Sequence, residues 1–167
     1  MSIVNILELI ERDSNCELIR VNRKELDKEI LLPEDLKYFY QNYDGIDFYK
    51  NESFGIKIVS YQEFKVTNTV LFPEDDIIWE ELEGDISNNW YLIASSEGLG
   101  QYISIDLSQG EKKGYCYDSF IETHSHPEDS MIIAKSFTEL LERIYESKGK
   151  EWYWTLQSFS NYGDAYD

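Results

Sequence analysis

The sequence predicts an α+β fold in which a mostly antiparallel sheet, arranged as a meander, is flanked by N-terminal and C-terminal helices. Apolar residues near the start recur at helical spacing, from Ile3 to Ile10. A central block (residues 90–118) alternates apolar and polar positions between tight turns, which is typical of short strands. A second amphipathic stripe follows at residues 136–145. Helices at both ends of a strand block indicate the α+β class.

The N-terminal third is predicted to contain three helices. Ser2 is the expected N-cap of the first, and residues 13–21 are expected to be irregular or a short strand. Asn22 and Glu25 have the spacing of a cap and its third helical residue, which predicts a short helix through Ile30.

The motif Leu32-Pro33-Glu34-Asp35 predicts the start of the third helix. Proline at the first helical position loses no hydrogen bond, and two acids in the first turn suit the helix dipole. The apolar stripe of this helix is formed by Leu36, Phe39, Tyr40 and Tyr43. Gly45 is its predicted stop.

Strands are predicted from alternation and from short apolar segments. Residues 54–58 alternate, residues 90–94 form an apolar segment, and residues 102–107 alternate strictly. Turns at residues 95–100 and 108–110 separate the later strands, and residues 114–118 return the chain. These short connections favour an antiparallel meander.

The C-terminal part is predicted to be helical, with a frayed tail. Ser136 and Glu139 form a capping box before the apolar face of a helix that ends at Gly149. Trp152, Leu156 and Phe159 suggest one more short helix. The tail from residue 161 onward is expected to be frayed. We expect a single domain over residues 1–167, with residues 150–167 as a C-terminal extension.

The charge is the most unusual bulk property. The chain has 33 acidic and 15 basic residues, a formal net charge of −18. Such a charge repels phosphate backbones and anionic membrane surfaces, so nucleic acid and membrane are not expected partners. It favours encounter with a basic protein, and it also serves solubility.

Cysteine usage and hydropathy predict a cytoplasmic protein. Cys16 and Cys116 lie far apart and form no CxxC motif, which favours free thiols in a reducing compartment. No apolar segment approaches the ~18 residues of a membrane span, and the N-terminus lacks the pattern of a signal peptide.

The order of these elements resembles the SUKH superfamily, which includes cell-wall assembly regulators and bacterial immunity proteins. The resemblance covers residues 22–146. Its landmarks are the Leu32-Pro33-Glu34-Asp35 helix ending at Gly45, the strand at 54–59, residues 90–94 with the turn 95–100, residues 102–107, Gly110, residues 115–117 and the helix at 136–145. The connection at residues 74–85 looks longer than is usual in the family.

The resemblance implies a binding protein that is not an enzyme. It implies an immunity protein (antitoxin) that neutralises a cognate toxin, such as a nuclease, by direct contact and without a cofactor. One alternative is a regulatory interaction module of the cell-wall assembly regulator type. Another is a metal-dependent hydrolase. The oligomeric state stays open.

The predicted partner-binding surface is the acidic segment, defined as residues 74–85. It contains seven acids and no base. Carboxylates here would pair with the basic groups with which a nuclease grips phosphate, and Trp79 would serve as an aromatic anchor. A solvated loop that adds only solubility is the alternative. The predicted contacts are Glu74, Asp75, Asp76, Trp79, Glu80, Glu81 and Glu83.

Two other features are weighed as sites. The turn at residues 95–100 offers backbone N–H groups to an anion, but a tight connection with glycine at positive φ is favoured. His124 and His126, with Asp118, Glu122, Glu128 and Asp129 nearby, raise the possibility of zinc. Because the spacing fixes no third ligand, no metal site and no catalytic residue are predicted.

Overall fold

A computed structural model describes residues 1–27, 30–124 and 126–167 of the chain. Its helices are α1 (Ile3–Arg12), α2 (Glu34–Asn42), α3 (Thr67–Leu71), α4 (Ile78–Glu81) and α5 (Phe137–Ser147). Its strands are β1 (Cys16–Arg20), β2 (Tyr43–Phe48), β3 (Ile56–Ile58), β4 (Trp90–Ser96), β5 (Gln101–Asp106), β6 (Cys116–Asp118) and β7 (Ile132–Ala134). Four short 3-10 turns are Ile86–Asn89, Glu97–Leu99, Pro127–Asp129 and Tyr153–Thr155.

The strands form one antiparallel sheet in which, across the described residues, the seven strands lie in chain order. Each strand pairs with the next along the sequence. The meander and the α+β class predicted from the sequence are therefore confirmed. The predicted strands at residues 54–58, 90–94, 102–107 and 114–118 correspond to β3, β4, β5 and β6.

One face of the sheet, the helical face, packs against α1, α2 and α5. The apolar stripes of these helices, including Ile6, Phe39 and Leu140, meet Ile46 and Ile103 of the sheet in the main core. The serine caps predicted for α1 and α5 are confirmed. Ser2 Oγ accepts from Asn5 N (3.2 Å), and Ser136 Oγ accepts from Glu139 N (3.0 Å).

The end of α2 differs from the prediction. The helix stops at Asn42, and β2 begins at the next residue with no turn between them. Gly45 is not a helix stop; it lies inside β2 with φ +122°, and a side chain there would meet the carbonyl oxygen of Ile58 at 2.9 Å. Pro33 is the N-cap of α2 and not its first helical residue, so the helix begins one residue later than predicted, at Glu34.

The predicted short helix over residues 22–30 is wrong where the chain is described. Residues 22–27 follow β1 in extended and bent backbone, and residues 28–29 lie outside the described residues. Arg23 N donates to Gln41 O (2.9 Å), and Arg23 Nη1 donates to Tyr40 O (2.8 Å). These bonds tie the segment to the C-terminal end of α2.

The second face of the sheet is covered over only part of its width. Over β4 to β7, Trp90, Tyr117, Ile132 and Ala165 form a small separate core, in which the Trp90 and Tyr117 rings stack at 4.1 Å. Over β1 to β3 this face carries Glu17, Ile19 and Lys57, all of which are exposed.

The predicted frayed tail is ordered by backbone pairing. Ile132 N donates to Gly163 O (2.8 Å), and Tyr162 N donates to Ile132 O (3.1 Å). Ala165 is buried in the small core, so residues 162–165 cover the outer edge of β7. The prediction failed here because backbone pairing leaves little trace in side-chain composition.

Candidate functional site

The acidic segment lies against the covered half of the sheet, between α3 and β4. It starts after Pro73, passes through the single-turn helix α4 and ends at the 3-10 turn before Trp90. Six of its seven carboxylates are exposed: Glu74, Asp75, Asp76, Glu80, Glu81 and Glu83. Apart from α4, its backbone forms hydrogen-bonded turns, such as Asp76 N to Pro73 O (3.1 Å), and side-chain anchors attach it to the rest of the fold.

Two internal anchors hold the acidic segment. Leu82 is only 2% exposed, and its carbonyl oxygen accepts from Asn88 Nδ2 (2.7 Å). The Trp79 indole N–H donates to Pro73 O (2.7 Å), while its ring meets Phe72 edge-on at 6.4 Å. Trp79 is thus half-buried and its polar atom is already bonded.

The most exposed apolar side chain of the segment is Ile77, at 74%. It lies next to Asp76 and one residue before α4. Since Trp79 is partly occupied with holding the turn, Ile77 is the better placed of the two to meet a partner. Sequence analysis did not select Ile77, because an isolated isoleucine in a polar stretch carries no periodic signal.

The C-terminal tail holds the far end of the acidic segment. The Tyr166 hydroxyl donates to Asp85 Oδ1 (2.5 Å), and Asp85 Oδ2 accepts from Ser87 N (2.9 Å). The bond to the carboxylate raises the pKa of Tyr166 to about 12. Asp85 is therefore engaged in the fold, and so is Asp76, whose Oδ1 accepts from Ile78 N (2.9 Å) at the start of α4.

A buried polar network supports the segment from beneath. Asn68 Nδ2 donates to Ser87 Oγ (3.0 Å) and to Asn88 Oδ1 (3.0 Å). Because its amide group donates both bonds, Asn68 Oδ1 accepts the bond from His124 Nε2 (2.6 Å). One asparagine therefore links α3, the turn that follows the acidic segment and the loop after β6.

His124 is fully buried, at 0% exposure, between the rings of Phe72 (5.7 Å) and Trp90 (6.2 Å). Burial lowers its pKa to about 4, against a smaller opposing effect of Asp85. The imidazole is consequently neutral at pH 7, with its proton on Nε2. His124 acts here as a core residue.

The two histidines do not share an environment. The side chain of His126 is exposed, and its Nδ1 lies 4.0 Å from Glu128. Within residues 1–27, 30–124 and 126–167, no group of three His, Cys, Asp or Glu side chains is placed to hold a metal ion. Asp118 is engaged elsewhere: its Oδ1 accepts from Gln101 Nε2 (2.7 Å) and from Phe120 N (3.1 Å).

The turn at residues 95–100 has the structural role that its glycines predicted. β4 continues through Ser96, and a 3-10 turn joins it to β5. Gly100 has φ +67°, and a Cβ there would meet Ile121 Cγ2 at 2.9 Å. Glycine is needed at Gly100 for both backbone conformation and space.

Comparison with known proteins then identifies the family. The sequence profile described as SMI1 / KNR4 family (SUKH-1) matches residues 16–143, which is most of the chain. The chain belongs to the SMI1/KNR4 (SUKH-1) family. Immunity protein YokJ of Bacillus subtilis (strain 168) is 38% identical over 168 aligned positions, which cover 100% of this chain and 97% of that protein.

Membership of the SUKH-1 family confirms two predictions. The resemblance described from the landmarks is correct, and the profile match nearly coincides with the predicted range of 22–146. Proteins of this family are non-catalytic binding proteins, so the prediction that the chain is not an enzyme is also confirmed.

Among the described residues, no helix is both long and apolar enough to cross a membrane.

Proposed function

We propose that the protein is an immunity protein, a cytoplasmic antitoxin that neutralises a cognate toxin by stoichiometric binding. The observation that carries the proposal is the end-to-end similarity to Immunity protein YokJ, at 38% identity. Alignment over the whole chain supports a shared role more strongly than a match to one motif would. On this proposal residues 1–167 act as a single domain, and neither nucleic acid nor membrane is a partner.

We propose the acidic segment as the contact surface. Its exposed carboxylates extend from Glu74 to Glu83, and in the described structure none of them makes an ion pair with a side chain of the protein itself. Such unpaired acids raise the rate of encounter with a basic surface and are available to its Arg and Lys side chains. The proposed toxin is therefore basic at its binding face, as a nuclease is where it grips phosphate.

The test is calorimetric titration of the protein with the toxin domain encoded by the neighbouring gene, at several salt concentrations. Tight binding that weakens as salt rises is expected, because salt screens exposed charge pairs. Co-production of the protein should also protect cells from the toxin. Absence of binding and protection would refute the immunity role and favour the regulatory module.

A triple variant tests the acidic segment as the contact surface independently of the immunity role. Glu80→Lys, Glu81→Lys and Glu83→Lys together should weaken binding about 10- to 100-fold at low salt, with three exposed pairs each contributing about 0.5–1 kcal/mol. The matched control reverses three exposed acids elsewhere, Glu8, Glu111 and Glu146, and changes the net charge equally. Equal losses in the two variants would show that only the overall charge matters.

A further inference from the structure

The uncovered half of the second sheet face carries a row of side chains that crosses four strands. Glu17 pairs with Asp47, Asp47 with Lys57, and Lys57 with Ser95. Paired residues of neighbouring antiparallel strands project from the same face of a sheet. The four side chains therefore stand side by side, on the face opposite the main core.

A hollow of about 310 Å³ lies on this row. Its lining includes Asp47 and Lys57, the hydroxyl-bearing Ser95 and Ser96, and the loop residues Lys50 and Glu52. The volume is sufficient to admit a long side chain from another protein. No part of this lining belongs to the acidic segment, so the hollow is a separate feature of the surface.

Ser95 is the unusual member of the lining. It is 9% exposed, and its Oγ has no hydrogen-bond partner among the described residues. A buried hydroxyl without a partner costs free energy, so such groups in folded proteins call for an explanation. The Oγ itself has almost no accessible surface, so a ligand in the hollow would supply the missing bond once rotation about the Cα–Cβ bond turns the hydroxyl outward.

Each charged side chain that lines the hollow forms an ion pair with another described residue, except Asp47. Lys57 Nζ pairs with Glu63 (3.0 Å), Lys50 with Glu17 (3.7 Å), and Lys150 with Glu52 (3.7 Å). Asp47 makes no ion pair or side-chain hydrogen bond with any described residue. The hollow thus has one half-buried carboxylate and one buried hydroxyl whose bonding capacity is unused.

We propose that this hollow receives an arginine side chain of the protein partner, with the guanidinium bound by Asp47 and Ser95. The inference rests on the proposed function for the nature of the partner, and it adds a second contact distinct from the acidic segment. Asp47 accepts from the guanidinium, and Ser95 Oγ accepts from its other side. The net charge of −18 favours the approach of such a basic partner.

Geometry favours arginine over lysine. Asp47 and Ser95 lie two strand spacings apart, about 10 Å between their Cα atoms. A planar guanidinium carries N–H donors on two sides, so it suits two acceptors that face it from opposite sides. A lysine ammonium is a compact charge that reaches one of the two groups but not both. Lys57, between them, is drawn away by Glu63.

The first experiment measures toxin affinity in the complex of the full chain. Asp47→Asn should weaken binding about 10- to 100-fold, the range expected for losing a charge-assisted bond. Ser95→Ala should weaken it about 3- to 10-fold. Glu146→Gln, which removes an exposed acid on α5, is the control and should change affinity less than 2-fold. Unaltered melting temperatures would confirm that the folds are intact.

The second experiment needs no toxin. Titration with N-acetyl-arginine methylamide, followed by amide NMR, should give saturable shifts centred on residues 47, 57 and 95 that vanish in Asp47→Asn. The neutral citrulline analogue should give none. Shifts spread over the acidic segment and unchanged in the variant would overturn the proposal.

The two experiments distinguish a failure of the arginine site from a failure of the immunity role. If the toxin binds and Asp47→Asn binds it equally well, the hollow is not a contact, and the immunity role stands. If no toxin binds but the arginine probe occupies the hollow, the site stands and the immunity role is wrong.

Discussion

Acidification is expected to destabilise the protein through His124, before most carboxylates begin to titrate. The imidazole is fully buried, and its pKa is lowered to about 4 in the folded protein. In the unfolded chain a histidine has a pKa of about 6.5. The unfolded state therefore takes up the proton first as the pH falls.

The sign and size of this change in unfolding free energy follow from proton linkage. The stability contributed by neutral His124 is fully present above pH 6.5 and is lost as the pH falls toward 4. Between pH 7 and pH 5 the loss comes to about 2 kcal/mol for these two pKa values. Protonation would also place a charge at Nδ1, which has no hydrogen-bond partner among the described residues.

The assay is urea unfolding at pH 7, 6 and 5 for the wild type and for His124→Gln. Both proteins carry the same carboxylates, so the general effect of lower net charge cancels in the comparison. The wild type should lose about 2 kcal/mol more than the variant across this range. Parallel losses in the two proteins, or an NMR titration that places the pKa of His124 near 6.5, would refute the reasoning.

Three further predictions concern the supports of the fold. Tyr166→Phe removes the bond to Asp85, so it should cost about 1 kcal/mol of unfolding free energy and reduce the tyrosine absorbance change near pH 12 by the contribution of one tyrosine. Ser136→Ala removes the cap of α5 and should also cost about 1 kcal/mol in urea unfolding, whereas Ser136→Asp should retain most of the stability. Burial raises the pKa of the Cys116 thiol, so a thiol reagent should modify Cys116 only as fast as the protein unfolds, while the partly exposed Cys16 reacts sooner; rapid modification of both thiols in native protein would contradict this.

The fold was predictable wherever a side-chain pattern had one face to bury. α1 and α5 carry clear apolar stripes with serine caps, and β5 alternates between two glycine-containing turns. β2 was missed because the stripe of α2 continues through Tyr43 into the strand. Gly45 then has the appearance of a helix stop, although tertiary pairing with β3 determines its conformation.

The acidic segment was predictable as an exposed surface, but its supports were not. Its carboxylates stand out in composition, whereas Asn68, His124 and Tyr166 are ordinary polar residues far from it in sequence. The hollow beside Ser95 was also beyond prediction. It exists only because β2, β3 and β4 bring Asp47, Lys57 and Ser95 into one row.

The chain-order sheet has a consequence for synthesis on the ribosome. Each strand from β2 onward pairs with the strand that precedes it in the chain, so the sheet grows in order as the chain leaves the exit tunnel, with the longest wait between β3 and β4, which α3 and the acidic segment separate. The outer edge of β7 stays open until residues 162–164 emerge and pair with it. During that interval the nascent chain exposes an unpaired edge, and a stalled or shortened product would retain it as a site for aggregation.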